Sequence, residues 1–187
     1  MLKKQLSHHR IILASSSPRR QELLRSLNID FEVRLKPVKE LFSEYLCHHE
    51  ISDFLAILKS KPFIKDLTSK DILITSDTIV WHNNKALGKP KTQQEAKQML
   101  RSLSHQTHEV ITSVCFTTST AQKTINSITK VKFKALSEDE ICYYVTNYNP
   151  MDKAGAYGIQ DWIGQIGIEK IEGSYFNVMG LPIDLVY

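Results

Sequence analysis

The sequence lacks any long hydrophobic run and any paired cysteine motif. No stretch approaches the ~20 apolar residues of a membrane span, and the apolar run at 11–14 is too short for the core of a signal peptide. The cysteines at 47, 115 and 142 are odd in number and widely spaced, which predicts reduced, buried thiols and argues against disulfides or a zinc site. We therefore expect a cytoplasmic protein with no membrane partner.

The sequence also lacks a strong excess of one charge. It carries 24 lysines and arginines against 20 aspartates and glutamates, far from the basic stripe that favours nucleic acid, so we expect no nucleic-acid partner. A phosphorylated small substrate is compatible with this balance. Internal repeats and linker-like segments are absent as well, and a chain of 187 residues can bury a sufficient core, which predicts one domain over residues 1–187.

Strand-like and helix-like patterns alternate along the chain. Thr92 and Ser137 each stand three residues before a glutamate and open an apolar pattern of helical spacing, the signature of a capping box. Asn28 suits a left-handed helix end, and Asn83-Asn84 suits a turn. Strands are predicted at 11–14, 72–75, 79–81, 110–117 and 130–135. The fold class indicated is α/β with a mixed sheet.

The segment SSSPRR at 15–20 joins the first strand to the first helix and suits a phosphate. Ser17 can cap the helix and Pro18 fits its first turn. Unpaired amides at a helix start favour an anion, and Arg19 and Arg20 add forked donors that match phosphate oxygens. An ordinary capped helix with two solvated arginines explains the same residues, so both interpretations stay open at this point.

Asp77 and Thr78 follow the apolar residues 72–75. A carboxylate at a strand end can bind Mg²⁺ or Mn²⁺ or take a proton from water, and hydrolysis of a phosphoanhydride uses both. A turn-forming or capping aspartate is the commoner explanation of such a residue.

Two lysine-bearing segments and one small-residue segment could add to a nucleotide site. Lys89 lies on the GKPK loop at 88–91, where it could reach a phosphate, although a solvated turn fits as well. Lys59 and Lys61 are surface lysines unless the fold turns them inward. The small residues at 154–158 allow a flat ligand to approach, and the Gln160 amide can both donate and accept, although such glycines also serve plain turns. We assign no role to the seven histidines.

Taken together, these segments resemble the Maf-like nucleotide pyrophosphatases, in order from residue 12 nearly to residue 187. The stretches that carry the resemblance are LASSSPRRQELL (13–24), SDTIV (76–80), LGKPKTQQEAKQML (87–100), SHQTHEVIT (104–112), DKAGAYGIQ (152–160) and GSYFNVMGLP (173–182). Several separated motifs in register support each of the weaker local interpretations.

The resemblance implies a hydrolase that cleaves nucleoside triphosphates between the α and β phosphates with a divalent cation, Mg²⁺ or Mn²⁺. It also implies an elongated mixed α/β fold with flanking helices and two lobes around a central cleft, similar to inosine triphosphate pyrophosphatases. The DKAGAYGIQ segment looks like the branch that acts on dTTP and UTP, which implies a role in clearing non-standard pyrimidine nucleotides. The resemblance leaves open whether two copies of the chain form a homodimer.

The family pattern also implies roles for individual residues. Asp77 matches the proton acceptor, and Glu40 matches a second carboxylate that would share the metal with Asp77. The positions that select the substrate are Arg19, Thr78 and Gln160, and those that contact phosphate are Ser15, Ser17, Arg20, Lys59 and Lys89. Lys61 could take the place of Lys59, because residues 35–70 match the family pattern in residue type more than in residue identity.

Two alternative functions also fit the sequence. One is a nucleotide-binding regulator of cell division that uses the same cleft without turnover, since the family has been associated with septum formation. The other is a pyrophosphatase that prefers modified purine nucleotides, for which Gln160 is the discriminating residue.

Overall fold

The computed structural model describes residues 2–187. The helices are α1 (Leu2–Gln5), α2 (Pro18–Ser26), α3 (His49–Ser60), α4 (Gln93–Leu103), α5 (Glu138–Tyr148), α6 (Trp162–Gly167), α7 (Tyr175–Met179) and α8 (Ile183–Val186). Short 3₁₀ segments cover Lys61–Asp66, Pro150–Asp152 and Ala154–Ala156. The strands are β1 (Arg10–Leu13), β2 (Phe31–Val33), β3 (Asp71–His82), β4 (Lys85–Leu87), β5 (Thr107–Thr117), β6 (Gln122–Phe133) and β7 (Ile168–Glu172).

These seven strands form one mixed sheet in the order β2-β1-β3-β5-β6-β7, with β4 paired to the end of β3. Strand β1 runs parallel to β2 and to β3, whereas β4 and β5 run antiparallel to β3, and β6 and β7 continue antiparallel. The predicted α/β class with a mixed sheet is therefore confirmed. The single-domain interpretation stays a prediction.

Helix α3 covers one face of the sheet, and α2, α4, α5 and α7 lie on the other. On the α3 face, Ile79 and Ile111 pack against Ile51 and Leu55. The opposite face carries two separate hydrophobic clusters. One contains Val80, Val110, Leu100, Ile141 and Tyr144, and the other contains Ile74, Val114, Leu24 and Leu181. The two clusters give the fold its two lobes.

The local signals explain most element boundaries. Ser137 and Glu140 form the reciprocal capping box that the sequence predicts. At α4 the Thr92 hydroxyl accepts from the Glu95 amide as predicted, but the Glu95 carboxylate accepts from the Lys91 amide, one residue before the cap. Asn28 takes the predicted left-handed conformation.

Three sequence-based expectations need correction. The strand predicted at 130–135 begins earlier and ends earlier, since β6 spans Gln122–Phe133. Asp77 was expected at a strand end but lies within one continuous strand, because the polar residues between 72–75 and 79–81 are also paired to β5. Cys47 is exposed where a buried thiol was expected, since it lies in an irregular segment before α3; Cys115 is buried and Cys142 is partly buried. No helix within residues 2–187 has the length and apolarity needed to cross a bilayer.

Strand β3 has a gap along one edge. On this edge β1 pairs with residues 71–74 and β4 pairs with residues 80–82, while β5 follows the opposite edge over residues 73–81. Residues 75–79 thus have a strand neighbour on one side only. Because successive side chains of a strand point to opposite faces, side chains from both faces can meet at such an unpaired edge.

A buried histidine makes the stability of the fold depend on pH. The Nε2 atom of His108 lies 2.7 Å from the Tyr157 hydroxyl, and its ring stacks on Phe133. Burial, reinforced by His82, lowers the pKa of His108 to about 3. The unfolded chain binds a proton on this group below about pH 6.5 and the folded chain does not, so its contribution to stability is full above that pH and is lost as the pH falls toward 3.

We expect the free energy of unfolding to fall by about 2 kcal/mol between pH 7.5 and pH 5, since one such group costs about 1.4 kcal/mol per pH unit. Urea unfolding at the two pH values measures this change. His108→Gln should remove most of the drop, whereas His9→Gln, at an exposed histidine, should keep it. An unchanged drop in His108→Gln would assign the effect to other groups. Asp71 contributes only at lower pH, because its hydrogen bond with Arg10 holds the pKa of that carboxyl below its usual range.

Candidate active site at the unpaired edge of β3

A cleft opens along the unpaired residues of β3. Its inner compartment has polar and apolar walls and is lined by Ser17, Arg19, Arg20, Lys59, Asp77, Thr78, Val80, Lys89, Val110, Asp152, Lys153, Ala154, Tyr157, Gly158, Gln160, Val178, Met179 and Gly180. An outer bay adjoins it and is lined by Ala14, Ser15, Ser16, Ser17, Pro18, Arg19, Arg20, Leu35, Lys36, Pro37, Lys59, Phe63, Lys89 and Asp152. The residues common to both compartments carry most of the charge.

Asp77 and Thr78 enter this cleft from opposite faces of the sheet. Asp77 lies on the face covered by α3, where its register partner on β5 is Ser113, which binds Asp53 of α3. Thr78 lies on the other face, opposite Thr112. The unpaired edge brings both side chains to one cavity.

Lys59 joins the two carboxylates of the site. Its ammonium group forms a salt bridge with Asp77 and lies 3.2 Å from a Glu40 carboxylate oxygen. Asp77 is 7% exposed, so its carboxylate is buried apart from its contact with the cleft. Lys61 is exposed and does not line the cleft, which answers the question of which lysine faces it. The arrangement places one cation between two acids at the junction of the compartments.

Arg20 binds the protein's own acceptors at the edge of the gap. Its Nε donates to the Gly180 carbonyl at 2.7 Å, one terminal nitrogen donates to the Ser76 carbonyl at 2.9 Å, and the other donates to Thr78 Oγ1 at 2.9 Å. The Ser76 carbonyl belongs to the unpaired stretch of β3, so the guanidinium replaces a missing strand neighbour. Burial lowers the pKa of Arg20, but an arginine stays charged at neutral pH.

Three of the five N–H donors of Arg20 are therefore used within the protein. The predicted phosphate contact would depend on the remaining two, and it stays a prediction. Gly180 permits this turn because its φ of 108° lies in the left-handed region that favours glycine.

A chain of hydroxyl groups continues from Arg20 into the core. Thr78 Oγ1 lies 2.9 Å from Thr112 Oγ1, and the Thr112 hydroxyl donates to the Asn177 carbonyl at 2.9 Å. Thr112 and Asn177 are fully buried, whereas Thr78 is partly exposed to the cleft. Sequence reasoning did not select Thr112 or Asn177. The only signal for Thr112 is a polar residue on the same strand face as Val110 and Val114.

The loop before α2 supplies hydroxyl groups to the outer bay. Ser17 caps α2 by accepting from the Arg20 amide, and Ser15 Oγ accepts from the Ser17 amide at 3.2 Å. In both residues the oxygen accepts a backbone donor, which leaves the hydroxyl proton free for an anion. The predicted cap and Pro18 in the first turn are both confirmed.

Lys89 and Gln160 line the cleft without side-chain partners among residues 2–187. Lys89 is exposed on its loop, and Gln160 has only its backbone carbonyl engaged, by Gln165. Both groups are free to bind a ligand. Gly155 keeps the segment before Gln160 close to the sheet, because its φ is 67° and a Cβ there would lie 2.8 Å from Val80.

Arg19 is tied to a network that the sequence analysis did not identify. It donates to Asp152 at 3.2 Å, and Lys153 bridges Asp152 at 2.8 Å and Asp161 at 3.7 Å. Tyr144 donates to Asp161 at 2.6 Å. Burial raises the pKa of Asp152, but Lys153 and Arg19 outweigh it and hold that pKa below its usual range. The network joins α2 to the segment that carries Gln160.

The structure therefore brings the predicted residues together. Each of them lines the inner compartment or the outer bay except Glu40, which reaches the site through Lys59. Lys36 also lines the bay and was not predicted; it forms a salt bridge with Asp66 and lies over the Phe63 ring.

The donor set suits a divalent cation that is shared with a substrate. Within residues 2–187, no three His, Cys, Asp or Glu side chains converge as a metal site. Glu40 and Asp77 supply two carboxylates that already hold one cationic group between them. Mg²⁺ is commonly bound by one or two carboxylates together with substrate phosphates, so the residues present fit this role.

The sequence matches the family of Maf-like proteins over residues 10–187. It is 57% identical over 187 residues to a dTTP/UTP pyrophosphatase from Flavobacterium johnsoniae, covering 100% of this chain and 96% of that protein. It is 58% identical over 187 residues to a dTTP/UTP pyrophosphatase from Christiangramia forsetii, covering 100% of this chain and 95% of that protein.

Among solved structures, the Staphylococcus aureus Ham1 protein matches with a TM-score of 0.50 and 16% identity, covering 66% of this chain and 71% of that one. This likeness concerns the fold alone.

We expect Arg20→Lys to lower the free energy of unfolding by about 2–4 kcal/mol, because lysine keeps the charge but cannot reach three acceptors, two of them carbonyls at the gap. Arg19→Lys is the matched control on the same helix and should cost less than about 1 kcal/mol, since its salt bridge is exposed. Urea unfolding of both variants measures the difference. Equal losses would show that Arg20 does not support the cleft.

Proposed function

The chain belongs to the Maf-like protein family. We propose that it hydrolyses dTTP and UTP, releases the nucleoside monophosphate and inorganic diphosphate, and acts on the free nucleotides of the cytoplasm. The observation that carries this proposal is the position of Asp77, which lines a partly apolar compartment and binds Lys59, a residue that also lines the bay rich in lysine and serine. Relatives that match nearly their full length are named dTTP/UTP pyrophosphatases, which supports the same reaction.

The outer bay suits the triphosphate. Lys59 and Lys89 bring positive charge to it, Ser15 and Ser17 bring hydroxyl donors, and Arg19 borders both compartments. Lysine acts as a point charge toward phosphate oxygens, while arginine can bind two of them at once. These groups would hold the β and γ phosphates and offset the charge of the departing diphosphate.

The inner compartment suits the base. Val80, Val110 and Met179 form apolar walls for a flat ring, and Thr78 and Gln160 supply polar atoms. A pyrimidine presents a row of donors and acceptors along one edge, so a few placed polar groups within an apolar slot are sufficient to orient it. The α-phosphate would then lie near the junction, beside Asp77.

Asp77 is the group that takes a proton from the attacking water. The water oxygen bonds to the α-phosphorus, the bond from that phosphorus to the bridging oxygen breaks, and diphosphate leaves. Lys59 holds the Asp77 carboxylate at the junction and can follow the developing charge on the phosphate oxygens. Glu40 shares this lysine and thereby keeps it close to the reacting centre.

We propose that Glu40 and Asp77 hold Mg²⁺ or Mn²⁺ together with the substrate phosphates. When bound, such an ion would neutralise phosphate charge and lower the pKa of a bound water. The two carboxylates and the adjoining bay are the features of this chain that favour it.

The first test is release of diphosphate from dTTP, UTP, CTP, dATP, GTP and methylated nucleotides, with Mg²⁺ or Mn²⁺. We expect dTTP and UTP to be the best substrates, and Asp77→Asn to reduce kcat by about 10²–10⁴-fold, the usual contribution of a positioned acid or base, with substrate binding largely kept. Asp53→Asn is the matched control, because this aspartate binds Ser113 and Asn126 outside the cleft.

Near-normal turnover in Asp77→Asn would remove this residue from the mechanism. Tight nucleotide binding without turnover of any substrate would favour the regulator of cell division over the enzyme. Preferential turnover of a modified purine nucleotide would keep the reaction and replace the substrate.

Gln160→Ala should change the ranking of the bases more than the rate on the best one, because the free amide of Gln160 lines the compartment in which we propose that the base binds. The measurement is kcat/KM for UTP, CTP and GTP in the wild type and the variant. A uniform decrease for all three substrates would show that Gln160 does not distinguish the bases.

A further inference from the structure

The hydroxyl chain beside the inner compartment fixes the direction of its hydrogen bonds. The Asn177 carbonyl can only accept, and it accepts from the Thr112 hydroxyl and from the Gly180 amide. A threonine has a single hydroxyl proton, so Thr112 has none left for its neighbour. The contact of 2.9 Å between the two hydroxyl oxygens therefore has Thr78 as the donor and Thr112 as the acceptor.

This direction determines what Thr78 can offer to a ligand. Its only proton points toward Thr112, and one of its two lone pairs receives the Arg20 donor at 2.9 Å. One lone pair is left, and Thr78 lies in the lining of the cleft. Thr78 thus faces the inner compartment as an acceptor that cannot become a donor while the chain from Arg20 to Asn177 is intact.

We propose that Thr112 is a positioning residue that makes the site select bases with an N–H group at the Watson–Crick edge, uracil and thymine, against cytosine. Uracil and thymine present N3–H to the free lone pair of Thr78. Cytosine presents an unprotonated N3, so two lone pairs would face each other without a proton between them. The proposal rests on the proposed function and deepens it, since it assigns the choice between pyrimidines to a buried residue outside the cleft.

Gln160 alone could not make this distinction. Its amide can rotate to exchange donor and acceptor, so it suits either the O4 of uracil or the N4 amino group of cytosine. The Thr78 hydroxyl cannot exchange roles, because Arg20 can only donate and the Asn177 carbonyl can only accept. Because the Thr78 hydroxyl is fixed as an acceptor while the Gln160 amide can adapt, selection between bases occurs at N3.

The test compares kcat/KM for UTP and CTP in the wild type, Thr112→Val, Thr112→Ser and Thr75→Val. Wild type should prefer UTP by about 10-fold or more, because a mismatched buried polar pair is strongly disfavoured. Valine at 112 keeps the shape but removes the acceptor, so Thr78 becomes free to donate to cytosine. We expect the UTP preference to fall about 10-fold in this variant, mainly through faster use of CTP.

Two controls separate this effect from a loss of packing. Thr112→Ser keeps the hydroxyl and should keep the wild-type ratio. Thr75→Val removes another buried hydroxyl of the sheet, which donates to the Ala56 carbonyl on the opposite face, and it should also keep the ratio. An active Thr112→Val variant with the wild-type ratio would overturn the proposal.

Modified substrates test the proposal with the wild-type protein alone. UTP methylated at N3 lacks the hydrogen that Thr78 would accept, while UTP methylated at C5 carries the same added bulk and keeps it. We expect the C5-methylated substrate to be used and the N3-methylated one to be slower by about 10-fold or more. Equal use of the two, or equal use of UTP and CTP, would overturn the role of Thr112. Absence of any turnover of UTP and dTTP would instead reject the proposed function.

Discussion

The cleft depends on one arginine that acts in place of a strand. Between the ends of β1 and β4, five residues of β3 have no neighbour on one side, and a free carbonyl in a partly buried strand is costly. Arg20 supplies a donor to that stretch and ties it to the turn after α7. The sheet can therefore remain open at its centre, and a central strand becomes accessible to a ligand.

The same region divides the hydrophobic core. Along one face of β3 the side chains read Ile74, Ser76, Thr78 and Val80, so two polar positions separate the two apolar ones. The outer positions belong to different hydrophobic clusters, and the polar pair lies against Arg20 and the turn at residue 180. A polar band within an apolar sheet face thus produces both the two lobes and the cleft between them. The same order of apolar and polar residues along β3 therefore accounts for both the divided core and the position of the cleft.

Most of the local structure could be predicted from the sequence, whereas the long-range partners could not. Capping residues and the alternation of polar and apolar positions act within a few residues, which is why Ser137, Ser17 and strands β1, β3, β5 and part of β6 were predicted. The shorter strands β2, β4 and β7 were not predicted. Asp77 was a candidate from its place after an apolar run, and the family resemblance gave it a role and suggested Lys59, with Lys61 as the alternative. The role of Arg20 depends on a carbonyl 160 residues away, and that of Thr112 on one 65 residues away. No local pattern contains this information.

The choice between Lys59 and Lys61 shows the same limit. These residues are two positions apart and lie on different sides of the chain, and only the packing of α3 on the sheet decides which one faces Asp77. Cys47 was misjudged because burial was inferred from residue type, while the fold leaves its segment irregular. Residue chemistry alone does not determine which side of an element meets the core.

Asp77 and Thr78 are joined by a single peptide bond, yet they belong to opposite faces of the sheet and to different sets of neighbours. The partners of Asp77, to which we assign hydrolysis, come from α3 and the segment before it, and those of Thr78, to which we assign base choice, include β5 and α7. Descendants of such a protein could change the nucleotide they remove by altering one layer of the molecule and leave the other layer untouched. In this fold the substrate can change while the reaction is kept, because the two sets of residues lie on opposite faces of one β-strand.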